Sequence, residues 1–162
     1  MSVKAKKHLG QHFLTDENIA EKIVRGLSLE SYNNVLEVGP GMGVLTKYLL
    51  STDQKVFLAE IDTESIAYLI ENYEQLSEDN FVGDFLKADF SFSNQEQIAI
   101  IGNFPYNISS QILFKIIDHY EIIPEMVGMF QKEVAERTAA VPRTKDYGIL
   151  SVMVQAYYDT KY

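Results

Sequence analysis

Short apolar runs recur along this chain, and they are continuous rather than alternating. They are Asn34-Val35-Leu36-Glu37-Val38, Lys55-Val56-Phe57-Leu58-Ala59-Glu60, Gln97-Ile98-Ala99-Ile100-Ile101-Gly102 and Met126-Val127-Gly128-Met129-Phe130, with a weaker one at Asn80-Phe81-Val82-Gly83. A strand that is apolar at nearly every position has to be covered on both faces, as in a parallel sheet. Between the runs lie stretches of helical period. One begins near Thr15-Asp16, with Ile19, Ile23, Val24 and Leu27 on one face; others cover about 43–51, 62–76, 108–119, 131–140 and 147–157. Thr15, Asp62 and Ser109 are the candidate helix N-caps. This alternation predicts an α/β fold, an open and mostly parallel sheet with helices on both faces. Ligands of such sheets bind outside the carboxyl ends of the strands, where the strand order reverses.

A chain of 162 residues suits one domain and buries roughly 70% of its unfolded surface, enough for a proper core. Residues 1–162 are therefore read as a single domain, with 1–14 as an N-terminal arm. A content of 46% hydrophobic and 23% charged residues excludes disorder and coiled coil, and the absence of cysteine excludes disulfides, thiolate zinc sites and thiol nucleophiles. No apolar run approaches the ~20 residues that span a bilayer. The start, Met-Ser-Val-Lys-Ala-Lys-Lys, lacks the apolar stretch of a secretion signal, so the expected address is the cytoplasm, with no membrane partner. A net charge of -9 argues against a protein that coats nucleic acid. The excess is concentrated, however: residues 31–100 hold three basic and twelve acidic groups, against five and four in 1–30 and six and seven in 101–162. The ends can still grip a polyanion locally. The last residues, Asp159-Thr160-Lys161-Tyr162, supply no cap or closing element, and with five strand candidates the sheet is expected to be unfinished at its C-terminus.

Four places carry chemistry. Glu37-Val38-Gly39-Pro40-Gly41-Met42-Gly43 follows one strand and precedes a helix, so its glycines let the backbone turn sharply and approach a ligand. The spacing is Gly-x-Gly-x-Gly; the hydride-cofactor pattern Gly-x-Gly-x-x-Gly would need glycine where Val44 stands. A tight turn without a ligand is the alternative. Glu60 ends the next strand, twenty-one positions beyond Gly39, where a carboxylate can accept hydrogen bonds from both hydroxyls of a ribose. Together the two point to an adenosine-containing ligand. Asp84, after the weak third run, suits either the exocyclic amine of an adenine or a plain turn. Asn103-Phe104-Pro105-Tyr106 follows the fourth run. The exocyclic nitrogen of adenine is a poor nucleophile because its lone pair is delocalised into the ring. Two acceptors for its hydrogens, the Asn103 side chain and the Phe104 carbonyl, can draw it towards tetrahedral geometry. Pro105 fixes φ, and Tyr106 offers a face for an unstacked base. No strong base is required, since the nitrogen turns acidic once it has attacked a methyl sulfonium.

These segments, together with Leu9-Gly10-Gln11-His12-Phe13-Leu14, Asn107-Ile108-Ser109, Gln131-Lys132-Glu133-Val134-Ala135-Glu136-Arg137 and Tyr147-Gly148-Ile149-Leu150-Ser151-Val152, give the chain its likeness to a known family. It resembles the ribosomal RNA adenine dimethyltransferases, specifically those of the small subunit, over nearly its whole length. The resemblance implies a Rossmann-like methyltransferase fold and S-adenosyl-L-methionine as cofactor. It also implies transfer of four methyl groups to N6 of two adjacent adenosines near the 3′ end of small-subunit (16S) ribosomal RNA, with that RNA or the immature small subunit as partner. By the same resemblance Gln11, His12 and Leu14 approach the cofactor from the N-terminal segment, Gly39 and Gly41 form its glycine turn, Glu60 takes the ribose and Asp84 the adenine. Asn103 adjoins both cofactor and target nitrogen, within a catalytic set of Asn103, Phe104, Pro105 and Tyr106.

Three departures from the family pattern stand out. His12 replaces the usual Asn, Phe104 replaces the usual Leu, and the further strands and small helical RNA-holding domain that normally follow are absent. Their missing positive charge is consistent with the acidic balance. Two other functions share many of these residues: the large-subunit (23S) adenine methyltransferases of the macrolide-resistance type, and a non-catalytic assembly factor with the same fold. Lys4, Lys6 and Lys7 suit either phosphate contact or a solvated end. Lys132, Arg137, Arg143 and Lys145 are interleaved with Glu133 and Glu136 as on an ordinary charged face. His8 and His119 show no metal-ligand spacing.

Overall fold

The computed structural model describes residues 14–162. The chain builds α1 (Glu17–Arg25), β1 (Asn34–Val38), α2 (Thr46–Leu49), β2 (Lys55–Ala59) and α3 (Thr63–Asn72), then an irregular stretch of short 3₁₀ turns. β3 (Ile98–Asn103), α4 (Ser109–Asp118), β4 (Met126–Met129), α5 (Lys132–Thr138) and α6 (Ile149–Gln155) follow. The four strands form one sheet in the order β2-β1-β3-β4, and every pair is parallel. The order reverses between β1 and β3: the chain leaves β1 for one side of the sheet and later returns on the other.

Continuous apolar runs are needed because both faces are covered. Val35, Val56, Leu58, Ala99 and Ile101 face a layer that contains Ala20, Ile23 and Val24 of α1, Leu49 of α2 and Leu69 of α3. Their neighbours Leu36, Phe57, Ala59, Ile98 and Ile100 face the other way, onto Ile112 and Ile116 of α4 and onto Phe85, Phe90 and Phe104. Burying one such side chain stabilises the fold by about 1.5–3 kcal/mol. At the far edge of the sheet, Glu125 ties the exit of α1 to the start of β4 by accepting from the Ser28 amide at 3.0 Å and the Tyr32 hydroxyl at 2.6 Å.

Three local expectations are corrected. Asn80–Gly83 is not a strand: a 3₁₀ turn occupies Glu78–Asn80 and Gly83 takes a positive φ of 73°, which leaves one parallel bridge between Phe81 and Leu58 outside β2. The N-cap of α1 is Asp16 rather than Thr15, its Oδ1 accepting from the amides of Asn18 at 2.9 Å and Ile19 at 3.2 Å. Ser109 is the first residue of α4 rather than its cap, because a 3₁₀ turn over Tyr106–Ile108 runs straight into the helix. Its Oγ donates back to the carbonyls of Pro105 and Tyr106. Asp62 does stand at the N-cap of α3, but its carboxylate accepts from the Ser65 hydroxyl instead of a backbone amide. The helices are also shorter than their periodic stretches.

Candidate active site

Register decides what meets at the carboxyl end of the sheet. Val38 is paired with Ala59 on one side and Gly102 on the other. The next residues, Gly39, Glu60 and Asn103, therefore form one row just beyond the last pairs of β1, at the point where the strand order reverses. A cleft opens there. It is lined by Leu14, Gly39, Gly41, Glu60, Asp84, Asn103, Phe104 and Pro105 among the residues expected from sequence. Tyr106 lies outside its lining, exposed on the adjoining 3₁₀ turn. Gln11 and His12 lie outside the described residues, as do Lys4, Lys6, Lys7 and His8.

The glycine turn keeps the cleft open. Gly39, Gly41 and Gly43 all have positive φ, at 68°, 55° and 82°. A Cβ on Gly39 would project into the gap between the two turns, 3.8 Å from Pro105 Cγ and 4.0 Å from the Asn103 carbonyl. The turn thus presents backbone where a side chain would fill the space, which fits a ligand laid across it.

Glu60 is buried and fixed by backbone donors. Its Oε1 accepts from the amides of Ile61 and Asp62, both at 2.9 Å, and its Oε2 accepts from the Gly41 amide at 3.4 Å. Burial pushes its carboxyl above the usual range, while these three amides pull it back. A carboxylate has about four acceptor sites and three are taken, so one remains on Oε2 for a ribose hydroxyl, and a second hydroxyl would take the place of the long Gly41 contact. Asp84 caps the 3₁₀ turn Phe85–Lys87, its Oδ1 accepting from the Leu86 amide at 2.9 Å, and its Oδ2 stands 3.8 Å from the Lys87 ammonium. The turn role and an adenine role are compatible, because the cap uses only one oxygen. Between the two acids, Ile61 is exposed in the cleft, and Met42, Phe85 and Ile108 complete an apolar lining suited to a flat ring.

Asn103 ends β3 opposite Met129 of β4, and the Phe104 amide donates to the Met129 carbonyl at 3.0 Å. The Phe104 ring turns into the core. It stacks on Phe130 with 4.5 Å between centroids and lies against Gly102 and Gly128. The side chain at this position is therefore a packing element.

Sequence reasoning gave Glu37 no role beyond preceding the turn. Strand alternation turns it to the helix-covered face beneath the glycines, where it is 1% exposed. Oε2 accepts from the Thr46 hydroxyl at 2.6 Å, whereas Oε1 has no hydrogen-bond partner among the described residues, and the side chain lines the cleft. Burial and the nearby Glu60 raise its carboxyl to about 8, with the Thr46 hydrogen bond opposing them. The available signal was the acid's place inside an otherwise apolar strand.

The model of the ribosomal RNA adenine dimethylase family matches residues 2–162. This chain belongs to that family. Among curated relatives, the adenine dimethylase-family chain is 60% identical over 162 residues to the ribosomal RNA small subunit methyltransferase A of Cytophaga hutchinsonii, covering 99% of this chain and 63% of the relative. It is 58% identical over 161 residues to the protein of the same name from Flavobacterium johnsoniae, covering 99% and 62%. This chain thus spans somewhat less than two thirds of the length of these relatives. Among solved structures, a dimethyladenosine transferase from Plasmodium falciparum superposes with a TM-score of 0.75 at 33% identity, over 89% of this chain and 52% of that one. The 23S rRNA methyltransferase ErmE gives 0.67 at 30% identity, over 88% and 55%. The parallel sheet with helices on both faces is thus the Rossmann-like methyltransferase fold. Methyltransferases of this kind generally use S-adenosylmethionine. No helix among the described residues is long and apolar enough to cross a membrane.

Proposed function

We propose that this chain is the cofactor-binding and catalytic part of a cytoplasmic enzyme that dimethylates N6 of two adjacent adenosines near the 3′ end of small-subunit ribosomal RNA, with S-adenosylmethionine as donor. The observation that carries the reading is the row of Glu60, Gly39 and Asn103 along the strand ends, with Asp84 on the same cleft. The names of the curated relatives support the small subunit over the large one.

S-adenosylmethionine, when bound, supplies an electrophilic methyl group on a sulfonium. The residues of the chain do the rest. Glu60, aimed by three backbone amides, accepts the ribose hydroxyls; Asp84 accepts from the adenine amine through the oxygen its turn leaves over. Gly39 and Gly41 let the backbone approach the ligand, and Leu14, with Gln11 and His12 before it, borders the cofactor on the N-terminal side. At the acceptor end, the Asn103 side-chain oxygen and the Phe104 carbonyl would take the two hydrogens of the target N6 in the first round, and one of them the single remaining hydrogen in the second, so that the lone pair is drawn out of the ring system. Pro105 holds this turn away from helix, and Tyr106, exposed just outside the cleft, offers its ring to the unstacked base. Transfer would break the sulfur–methyl bond, leaving S-adenosylhomocysteine, and the cationic nitrogen would then lose its proton to water without a strong base.

The test uses protein of the relatives' full length and unmethylated small and large ribosomal subunits as separate substrates. Methyl label should enter the small subunit, and Asn103→Ala should lower the rate by about 100–1000-fold, the scale for losing one preorganised polar contact in a transition state. Label in the large subunit alone would establish the macrolide-resistance type of activity instead. An Asn103→Ala protein as active as the wild type would remove the catalytic assignment, and no transfer to either subunit would favour a non-catalytic assembly factor.

A further inference from the structure

The irregular stretch between β2 and β3 carries Asp84 and meets β2 through the Phe81–Leu58 bridge, the Asn80 side-chain amide, which donates to the Val56 carbonyl at 2.9 Å, and the Phe92 ring against Phe57. Around Asp84 its backbone bonds are local: the amides of Lys87 and Ala88 return to the Asp84 carbonyl, and the Ala88 amide also reaches the Phe85 carbonyl. Phe85 and Phe90 anchor the stretch in the core under α4, with Phe90 in left-handed backbone at φ 60°. Two polar side chains reach it from α4 and its end: the His119 ring packs on Phe90, and a lysine makes hydrogen bonds. Lys115, on α4, donates its ammonium to the Leu86 carbonyl at 3.0 Å and to the Ala88 carbonyl at 2.5 Å. The same ammonium lies 6.0 Å from the centre of the Phe85 ring and 5.4 Å from that of Phe90.

We propose that Lys115 is a positioning residue for cofactor selectivity: by clamping residues 86 and 88 to α4 it holds the Asp84 carboxylate where it recognises the exocyclic amine of adenine. The inference rests on the adenine role of Asp84 proposed above. Three features make the clamp specific. Its two acceptors lie inside the turn that Asp84 caps and at its C-terminal end, so letting go of them frees the turn and its cap together. The ammonium gives two of its three hydrogens to fixed carbonyls rather than to a carboxylate, so its energy goes into backbone placement. Partial burial lowers the pKa of the lysine below its ordinary value, and the charges of Asp84, Asp89 and Asp118 oppose that effect. Lys115 therefore adds a cation near Asp84 through backbone carbonyls, whereas the direct ion pair of Asp84 is with the solvent-exposed Lys87.

The experiment is calorimetric titration of this chain with S-adenosylhomocysteine and with its inosine counterpart, in which an oxygen replaces the amine. Wild type should prefer the adenine ligand by about 10–100-fold, the range for a hydrogen bond to a charged group. Asp84→Asn and Lys115→Met should each bring this preference to within about threefold, with Lys115→Met weakening the adenine ligand and leaving the inosine ligand nearly unchanged. Lys115→Arg, which keeps a cation and its donors, should retain most of the preference. A preference lost in Asp84→Asn but intact in Lys115→Met overturns the positioning role alone. Equal weakening of both ligands in Lys115→Met, with the preference kept, would show a merely structural lysine and also overturns it. A preference untouched by Asp84→Asn removes the adenine role of Asp84, and the inference with it.

Discussion

Replacing Glu37 by glutamine should stabilise the protein in a manner that grows with pH. The carboxyl is held at about 8 in the folded state, against an ordinary value of 4.5. An acid whose native value lies above its unfolded value binds more protons in the native state, so stability is greatest below about 4.5 and falls as pH rises towards 8. The slope is about 1.4 kcal/mol per pH unit, so by pH 7 the wild type has lost roughly 3 kcal/mol that an uncharged residue would keep. Glutamine is isosteric, and its amide oxygen can still accept from the Thr46 hydroxyl, so the substitution removes the titration and retains the hydrogen bond.

The assay is urea or thermal unfolding of both proteins at several pH values from 5 to 8. At pH 5 the two should be nearly equal. At pH 7 the variant should melt about 6–12 °C higher, taking 2–4 °C per kcal/mol for a domain of this size. Glu60 and Tyr73 are coupled by charge to Glu37, so the difference between the two proteins reports the Glu37 titration together with that coupling. A difference that stays constant from pH 5 to 8, or a variant less stable than wild type at pH 7, would refute the reading of a neutral buried acid.

Three further outcomes follow from the geometry. Glu60→Gln should weaken S-adenosylmethionine binding by about 10–100-fold in calorimetric titration, since an amide donor replaces an acceptor at the ribose; unchanged affinity would reject that role. Gly43→Ala should cost roughly 2–4 kcal/mol in urea unfolding, combining overpacking with left-handed strain. Its Cβ would stand 2.8 Å from both Leu69 Cδ2 and Tyr73 Cε2, with φ at +82°. Asp16→Ala should lose about 1 kcal/mol, seen as faster amide hydrogen exchange in the first turn of α1, while Thr15→Ala leaves that exchange unchanged.

The layer architecture was legible because it depends only on which residues are apolar. A run such as Ile98-Ala99-Ile100-Ile101 has no polar face to turn to water, and the structure covers both sides of it. The site was legible for a related reason: Gly39, Glu60 and Asn103 each stand at the end of such a run, and parallel pairing brings run ends together. What could not be read depends on local backbone and distant partners. Asn80–Gly83 is apolar enough for a strand, but the capped turn before it and the positive φ of Gly83 after it leave room for one bridge. Asp16 and Thr15 are both good caps by composition, and the choice between them rests on where φ and ψ leave the helix. Glu37 is an acid in the sequence and a neutral group in the fold, because strand alternation turns it beneath the glycine turn rather than to solvent. Lys115 shows the same limit most sharply. Its helix carries the apolar spacing of Ile112, Ile116 and Ile117, which marks it as an ordinary charged residue between core positions. The carbonyls that claim it lie 29 and 27 residues earlier, in a segment without regular period. Selectivity that is built from backbone acceptors leaves no side-chain signature to find, so such a clamp becomes visible only when the fold brings donor and carbonyl together.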